Sequence, residues 1–307
     1  MMSYDVKSIR NDFKKRGIFY TPKPLAKYMQ SFLPNDLKEI YDPTCGHGDL
    51  LSLFGDDVEK YGQDINNDGV DEASRMPNSH IVCADTLVSP AFMGKKFRGI
   101  ISNYPYSIKW NPDKLVDDER FTVAPVIPPK SKADYAFILH ILHYLADDGV
   151  AVVMCFPGIG YRGQREGKIR RWMIEQSYVD TVIHIPGGQF VDTSIPTLIL
   201  VIRKKRDSTN IRFINKEDDV EYVAPLLEVR ENDFSLSVST YARKEPEKEV
   251  VDPAALEKEA RNGVLDMIRK EVMFSFTLWK NLGGQPIDEF LDGIEAIVNE
   301  YREMIKC

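Results

Sequence analysis

Short apolar runs alternate with amphipathic stretches along the first two-thirds of the chain. The apolar runs predict seven strands, at Glu39–Asp42, Lys60–Asp64, His80–Ala84, Arg98–Ser102, Val150–Phe156, Thr181–Ile185 and Leu198–Ile202. Between them, helical spacing of apolar residues recurs over Thr21–Leu33, Ala133–Ala146 and Gly167–Gln176. Such alternation is typical of α/β proteins with a mostly parallel sheet and helices on both faces. Sheets of this kind bind ligands at the carboxyl ends of their strands.

The pattern changes near residue 205. Residues 207–250 predict short strands and loops, whereas a helical pattern starts at Asp252 and a last helix is predicted over Ile287–Ile305. The sequence therefore divides into a catalytic-type domain, residues 1–205, and an accessory mixed and helical region, residues 206–307. The apolar face of the last helix could pack on a partner or on its own domain.

Composition narrows the class of protein. With 40 Lys+Arg against 47 Asp+Glu the net charge is −7, which argues against a free-standing nucleic-acid binder. A hydrophobic content of 43% excludes a wholly disordered chain. No stretch reaches the ~18 apolar residues that span a bilayer, and the N-terminus lacks the apolar core of a signal peptide. We therefore expect a cytoplasmic protein without membrane association.

The cysteines and histidines do not predict a metal site. The four cysteines lie far apart without a Cys-x-x-Cys pair, which is typical of reduced thiols. His140 and His143 are three residues apart but have no third ligand nearby in the sequence. We interpret both as surface or packing residues of a helix.

Three consecutive strand ends carry residues suited to a nucleoside ligand. After the first strand, Gly46 and Gly48 would let the backbone approach a ligand closely, although a tight strand–helix turn would look the same. Asp64 ends the second strand, where a carboxylate can accept two hydrogen bonds from a ribose diol. Asp85 follows the third strand and could accept from the exocyclic amine of adenine. Together these positions predict an adenosine-bearing cofactor.

The fourth predicted strand ends in Asn103-Tyr104-Pro105-Tyr106. The amide oxygen of Asn103 and the carbonyl of Tyr104 could accept the two hydrogens of an aromatic amine such as adenine N6. They would thereby aim the nitrogen lone pair at a methyl donor. Tyr106 could stack on a base flipped out of a duplex. The alternative is a proline-terminated strand followed by an ordinary loop.

With these motifs in place, the chain resembles the N6-adenine DNA methyltransferases, most closely the modification subunit of type I restriction-modification systems. The resemblance covers about residues 15–205. The matching segments are Gly17–Pro22, Asp42–Gly48, Asp64, Asp85, Asn103–Tyr106, Asp118–Phe121, Pro128–Phe137, Phe156–Arg170 and Phe190–Thr197. The segments after residue 117 are the more specific part of the match.

The resemblance implies a Rossmann-like class I S-adenosylmethionine-dependent methyltransferase fold with a C-terminal helical extension. It also implies that the chain uses S-adenosyl-L-methionine to methylate N6 of an adenine flipped from duplex DNA, alongside a specificity subunit. The implied cofactor-binding residues are Tyr20, Thr21, Asp42, Thr44, Gly46, Gly48, Asp64, Ile65, Asp85, Thr86 and Asn103. The implied catalytic residues are Asn103, Tyr104, Pro105 and Tyr106.

The sequence departs from the family pattern in three ways. Tyr104 occupies the place of a proline, which removes the fixed φ and adds a ring that must find room. About sixteen residues precede Gly17, where the family carries a helical domain. No segment predicts a target-recognition domain, which is consistent with a separate specificity subunit. The acidic charge balance predicts that the chain alone binds duplex DNA weakly. Two alternatives remain: a catalytically weak or inactive homologue that serves as a cofactor- or partner-binding module, and a methyltransferase for protein or RNA amines.

Overall fold

The computed structural model describes residues 21–188, 196–244, 252–283 and 287–305. The chain divides into two compact units, and the division falls between Lys244 and Glu245. The first unit contains a nine-stranded sheet. The second contains two long helices.

Strands and helices alternate through most of the first unit. The strands are β1 (Glu39–Asp42), β2 (Glu59–Asp64), β3 (Ser79–Cys83), β4 (Phe97–Asn103), β5 (Leu145–Cys155), β6 (Val179–Ile185), β7 (Thr197–Arg203), β8 (Ile211–Asn215) and β9 (Val220–Ala224). The helices are α1 (Lys23–Gln30), α2 (Asn67–Ala73), α3 (Glu119–Thr122), α4 (Asp134–Tyr144), α5 (Gln164–Glu175), α6 (Leu226–Glu231) and α7 (Val238–Tyr241). Short 3₁₀ turns lie at Leu51–Leu53 and Pro157–Gly160.

The sheet order is β3-β2-β1-β4-β5-β7-β6-β8-β9. Neighbouring strands from β3 through β5 are parallel, while β7 runs antiparallel to both β5 and β6, and β9 runs antiparallel to β8. The sheet is therefore mostly parallel, as the sequence predicts. The order reverses between β1 and β4, and such a switch point opens a crevice at the carboxyl ends of the strands.

Side chains of β5 alternate between two apolar cores, one on each face of the sheet. Val152 and Met154 belong to the core that includes Leu25 and Met29 of α1. Val153, one residue away, belongs to the core that includes residues of α4 and α5. Because successive side chains of a strand point to opposite faces, an unbroken apolar run covers both layers. Helices on both faces are thus confirmed.

The structure differs from the predicted sheet at its far edge, where nine strands replace the expected seven. β8 pairs with β6 in parallel, and β9 closes the edge as an antiparallel strand. β9 is mostly exposed and lies within residues 207–250, where the sequence predicts short strands and loops without giving their bounds. The sheet therefore continues past residue 205, and the compact unit ends at Lys244.

The second unit consists of α8 (Pro253–Asn281) and α9 (Ile287–Ile305). Asp252 caps α8 by accepting a hydrogen bond from the backbone N–H of Ala254 at 3.0 Å. The rings of Phe276 and Trp279 lie 5.5 and 5.9 Å from that of Phe290. These aromatic contacts join the two helices near their connection.

Candidate functional site

A cavity of about 740 Å³ lies at the carboxyl ends of β1 to β4, at the switch point of the sheet. Ten of the residues predicted from the sequence line it: Thr21, Asp42, Thr44, Gly46, Asp64, Ile65, Asp85, Thr86, Asn103 and Pro105. The fold thus brings residues from four strand ends to one cavity.

The four remaining residues of the predicted set are three that do not line the described cavity wall and one that lies outside the described residues. Gly48, Tyr104 and Tyr106 are absent from the described cavity wall. Tyr20 lies outside the described residues. Gly48 has a φ of +86°, and a Cβ there would lie 2.6 Å from Cε of Met76. A glycine is therefore needed at position 48, because the backbone conformation is left-handed and the packing behind the loop leaves no room for a Cβ.

Backbone N–H groups hold the carboxylates of this loop region. Asp64 accepts hydrogen bonds from the N–H groups of Gly46 and Asn66, both at 2.8 Å. Asp85 accepts from the N–H of Leu87 at 2.9 Å. Each carboxylate keeps unused lone pairs, because an ionised carboxyl group can accept about four hydrogen bonds. Both are therefore oriented by the loop and able to accept from a ligand.

The cavity wall is acidic. Asp42, Asp49, Asp64 and Asp85 line it together with a single lysine, Lys109, among the residues that the structure describes. Burial raises the pKa of Asp42 to about 7, and the neighbouring charge of Asp64 adds to this effect. Such a wall favours a ligand with net positive charge.

Two side chains of the described residues hydrogen-bond to the amide of Asn103. Its Nδ2 donates to Oγ1 of Thr21 at 3.1 Å, and its Oδ1 accepts from the hydroxyl of Tyr106 at 2.5 Å. These two bonds orient the amide oxygen at the end of β4. The Tyr106 ring is partly buried and packs against both apolar cores. Stacking of Tyr106 on a base stays a prediction.

The ring of Tyr104 points into the protein core. It is 1% exposed and stacks on Phe137 with ring centroids 5.2 Å apart. Its hydroxyl lies near the thiol of Cys155, and no described residue meets it in hydrogen-bonding geometry. The Tyr104 ring, which stands where the family has a proline, is therefore accommodated in the core behind the motif and does not line the cavity.

Sequence reasoning gave no role to two buried polar residues that support the site. Gln63, directly before Asp64, donates to the carbonyl oxygens of Ala84 and Ser89 at 3.2 and 2.8 Å. Asp134 accepts from the N–H of Ser107 at 3.1 Å, just after the Asn103–Tyr106 motif. The signal for Gln63 is a polar residue inside a predicted strand. Asp134 lay within the segment that carries the resemblance, without any assigned role.

Neither a metal-binding cluster nor a membrane-spanning helix occurs among the described residues. No group of three or more His, Cys, Asp or Glu side chains in the ranges from 21 to 305 is arranged to hold a metal ion. None of the helices in the described part of the chain is long and apolar enough to cross a membrane.

A mostly parallel α/β sheet with a cavity at its switch point defines the Rossmann-like class of proteins, and the acidic wall of this cavity suits a nucleoside-containing ligand without phosphate groups. Comparison with known families narrows this class. The chain belongs to the N-6 DNA Methylase family, whose model matches residues 6–264. The resemblance stated from the motifs is thereby confirmed.

Relatives share this assignment. The methylase subunit of the type I restriction enzyme MpnII from Mycoplasma pneumoniae is 31% identical, over 85% of this chain and 61% of its own length. The type I methyltransferase subunit from Streptococcus thermophilus has a solved structure that is 32% identical, with a TM-score of 0.68. That match covers 74% of this chain and 59% of the other. The chain thus spans about three-fifths of the length of these relatives.

A third match supports the fold alone. A chain from a structure of the type I restriction-modification system is 16% identical, with a TM-score of 0.58 over 90% of this chain and 69% of the other. The Rossmann-like methyltransferase fold expected from the resemblance is confirmed.

Proposed function

We propose that this chain transfers a methyl group from S-adenosyl-L-methionine to the N6 amine of adenine in DNA. We further propose that it acts as the modification subunit of a type I-like restriction-modification system, with a specificity subunit supplying sequence recognition. The proposal rests on the amide of Asn103, which lines the acidic cavity and is held in place by hydrogen bonds with Thr21 and Tyr106.

The residues of the cavity fit S-adenosyl-L-methionine. The molecule carries a sulfonium, an amine and a carboxylate, so its net positive charge suits the four aspartates of the wall. Asp64 and Asp85 are oriented acceptors for a ribose diol and an adenine amine. Ile65 lines the same wall and is 73% exposed, which leaves an apolar surface for a purine ring to cover.

When bound, the cofactor supplies an electrophilic methyl group, and transfer to the N6 amine releases one proton and leaves a neutral thioether. Asn103 would position the target nitrogen. An amide oxygen has two lone pairs, so Oδ1 can accept from the amine while it accepts from Tyr106. Thr21 stops the amide from turning its Nδ2 toward the substrate. The chain therefore contributes positioning and electrostatics.

Three relations support the subunit role. The relatives named above are methylase subunits of type I restriction enzymes. The net charge of −7 disfavours strong binding of duplex DNA by the chain alone. Residues 206–307 contain no segment that predicts a base-reading domain.

The proposal is tested by incubating the purified chain with tritiated S-adenosyl-L-methionine and unmethylated duplex DNA, with and without a co-expressed type I specificity subunit. We expect label in N6-methyladenine after digestion to nucleosides, and more of it with the subunit present. Cofactor binding without transfer in either mixture would favour the module alternative. Transfer to RNA or protein amines instead of DNA would replace the proposed substrate.

A further inference from the structure

Arg120 is a buried arginine beside the cavity, and each of its N–H groups has a partner. The residue is 3% exposed and begins the short helix α3 together with Glu119. Its Nε and one N–H of Nη2 bind the carboxylate of Asp118. The remaining donors reach the carbonyl oxygens of Thr86 at 2.8 Å and Leu87 at 2.7 Å, and Nδ1 of His140 at 3.0 Å. An arginine has five N–H donors, so none is left over.

The two carbonyl groups belong to the segment that carries Asp85. Thr86 and Leu87 line the cavity next to it. The carboxylate of Asp85 in turn accepts from the N–H groups of Leu87 and Val88, at 2.9 and 3.3 Å. Arg120 thus holds the carbonyl side of this turn while Asp85 holds its N–H side. A shift of the guanidinium would move the Asp85 carboxylate.

His140 extends the contact from Arg120 to strand β1. A guanidinium can only donate, so Nδ1 of His140 accepts from Arg120 and Nε2 carries the hydrogen. Nε2 then donates to the hydroxyl of Tyr41, 2.9 Å away. Tyr41 is the residue before Asp42 in β1. Burial lowers the pKa of His140 well below its ordinary value, consistent with a neutral ring.

We propose that Arg120 is a positioning residue for the purine half of the cofactor site, acting through Asp85. The inference rests on the proposed function, because it assigns Asp85 to the adenine amine of S-adenosyl-L-methionine. A buried positive charge is not sufficient for this role. The planar guanidinium of Arg120 donates to two carbonyl groups, a carboxylate and an imidazole at the same time. Lysine offers three donors on one atom and cannot span these partners.

Arg170 offers a matched control. It is 5% exposed and donates to the carbonyl oxygens of Ile159, Arg162 and Phe234, none of which lines the cavity among the described residues. Arg120→Lys and Arg170→Lys therefore make the same chemical change at two buried arginines that hold backbone carbonyls. Of the two, only Arg120 hydrogen-bonds to the segment that carries Asp85.

The experiment is calorimetric titration of the full chain with S-adenosyl-L-methionine and with 5′-methylthioadenosine, which keeps the adenosine half and lacks the methionine end. We expect Arg120→Lys to weaken both ligands by a similar factor, about tenfold, the worth of one charge-assisted hydrogen bond. Arg170→Lys should stay within about twofold. Loss of folded protein would lower the stoichiometry and leave the dissociation constant of the remainder unchanged. Equal dissociation constants for wild type and Arg120→Lys would overturn the proposal.

A double-mutant cycle tests the route through Asp85. If Arg120 acts by placing that carboxylate, Asp85→Ala combined with Arg120→Lys should bind both ligands no more weakly than Asp85→Ala alone. Additive losses would contradict the route. Should Arg120→Lys not fold, Asp118→Asn removes the charge that orients the guanidinium, and it must weaken both ligands by about threefold; unchanged affinity would overturn the proposal. A wild-type chain that binds neither ligand would instead contradict the proposed function itself.

Discussion

The two walls of the cavity hold their polar groups by different means. On the nucleotide wall, the loops after β1, β2 and β3 orient Asp64 and Asp85 through backbone N–H groups. On the motif wall, at the end of β4, the side chains of Thr21 and Tyr106 orient the amide of Asn103. Backbone donors are fixed by the chain path, whereas side-chain donors depend on packing. The nucleotide wall should therefore govern binding, and the motif wall should govern transfer.

The largest expected effect is the loss of methyl transfer when Asn103 is replaced. Asn103→Ala removes the acceptor for the target amine and should lower methyl transfer by at least ~10²-fold. Cofactor affinity should stay within a few-fold, because the nucleotide wall is intact. Single-turnover assays and calorimetry measure the two quantities separately. Asn210→Ala, an exposed asparagine before β8, is the control. A large loss of cofactor affinity in Asn103→Ala would contradict the division of the two walls.

Replacing Asp64 should weaken cofactor binding much more than it lowers methyl transfer. Asp64→Ala removes the acceptor for the ribose diol and the anchor of the Gly46 and Asn66 N–H groups, so affinity for the cofactor should fall by about a hundredfold. Transfer measured at saturating cofactor should fall much less. The neighbouring exposed Asp68→Ala should match wild type in both assays. If Asp64→Ala left affinity unchanged, the nucleotide wall would lie elsewhere.

Asp42 lies where the two walls meet and predicts a pH effect on stability. Burial raises its folded-state pKa from 3.8 to about 7, so the folded state binds more protons than the unfolded state between these values. Its stabilising contribution is therefore present below about pH 4 and is lost as pH rises toward 7. Urea unfolding of wild type and Asp42→Asn should show this difference, on the order of 3 kcal/mol between pH 4 and 7. Identical pH dependence of the two proteins would contradict it.

The smallest expected effect is the change in stability when only the hydroxyl of Tyr104, behind the motif wall, is removed. Tyr104→Phe removes a buried hydroxyl without a partner in the described structure, so stability should stay equal or rise by about 1 kcal/mol. Tyr135→Phe is the matched change, because that buried hydroxyl donates to the carbonyl of Ile159 at 2.8 Å, and stability should fall by about 1 kcal/mol. Thermal denaturation distinguishes the signs. A destabilised Tyr104→Phe would show that the hydroxyl has a partner after all.

Tyr104→Pro would restore the proline that the family carries at this position. The buried ring packs on Phe137, however, so its removal leaves a cavity in the core. We expect Tyr104→Pro to lower the free energy of unfolding by about 3 kcal/mol, measured by urea unfolding. Unchanged stability would mean that the core closes over the lost ring.

Much of the fold could be predicted from local patterns. β1 and α9 have the bounds that the sequence indicates, because an apolar run between polar turns and a continuous apolar stripe are both local signals. The position of β9 within residues 207–250 could not be predicted, because an exposed edge strand needs few apolar residues and takes its stability from pairing with β8. The candidate site followed from strand-end residues, whereas Gln63 and Arg120 contact partners 20 to 34 residues away in the chain.

The sequence by itself determined the class of the protein, the strand ends that carry acidic and amide groups, and the family to which it belongs. These follow from residue type and spacing, which act locally. Only the tertiary structure decided that the Tyr104 ring points into the core, that the side chains of Thr21 and Tyr106 bond to Asn103, and that one buried arginine connects the segment after β3 to His140 of α4. These features depend on long-range packing, where burial makes each unpaired donor costly and so selects one arrangement of partners.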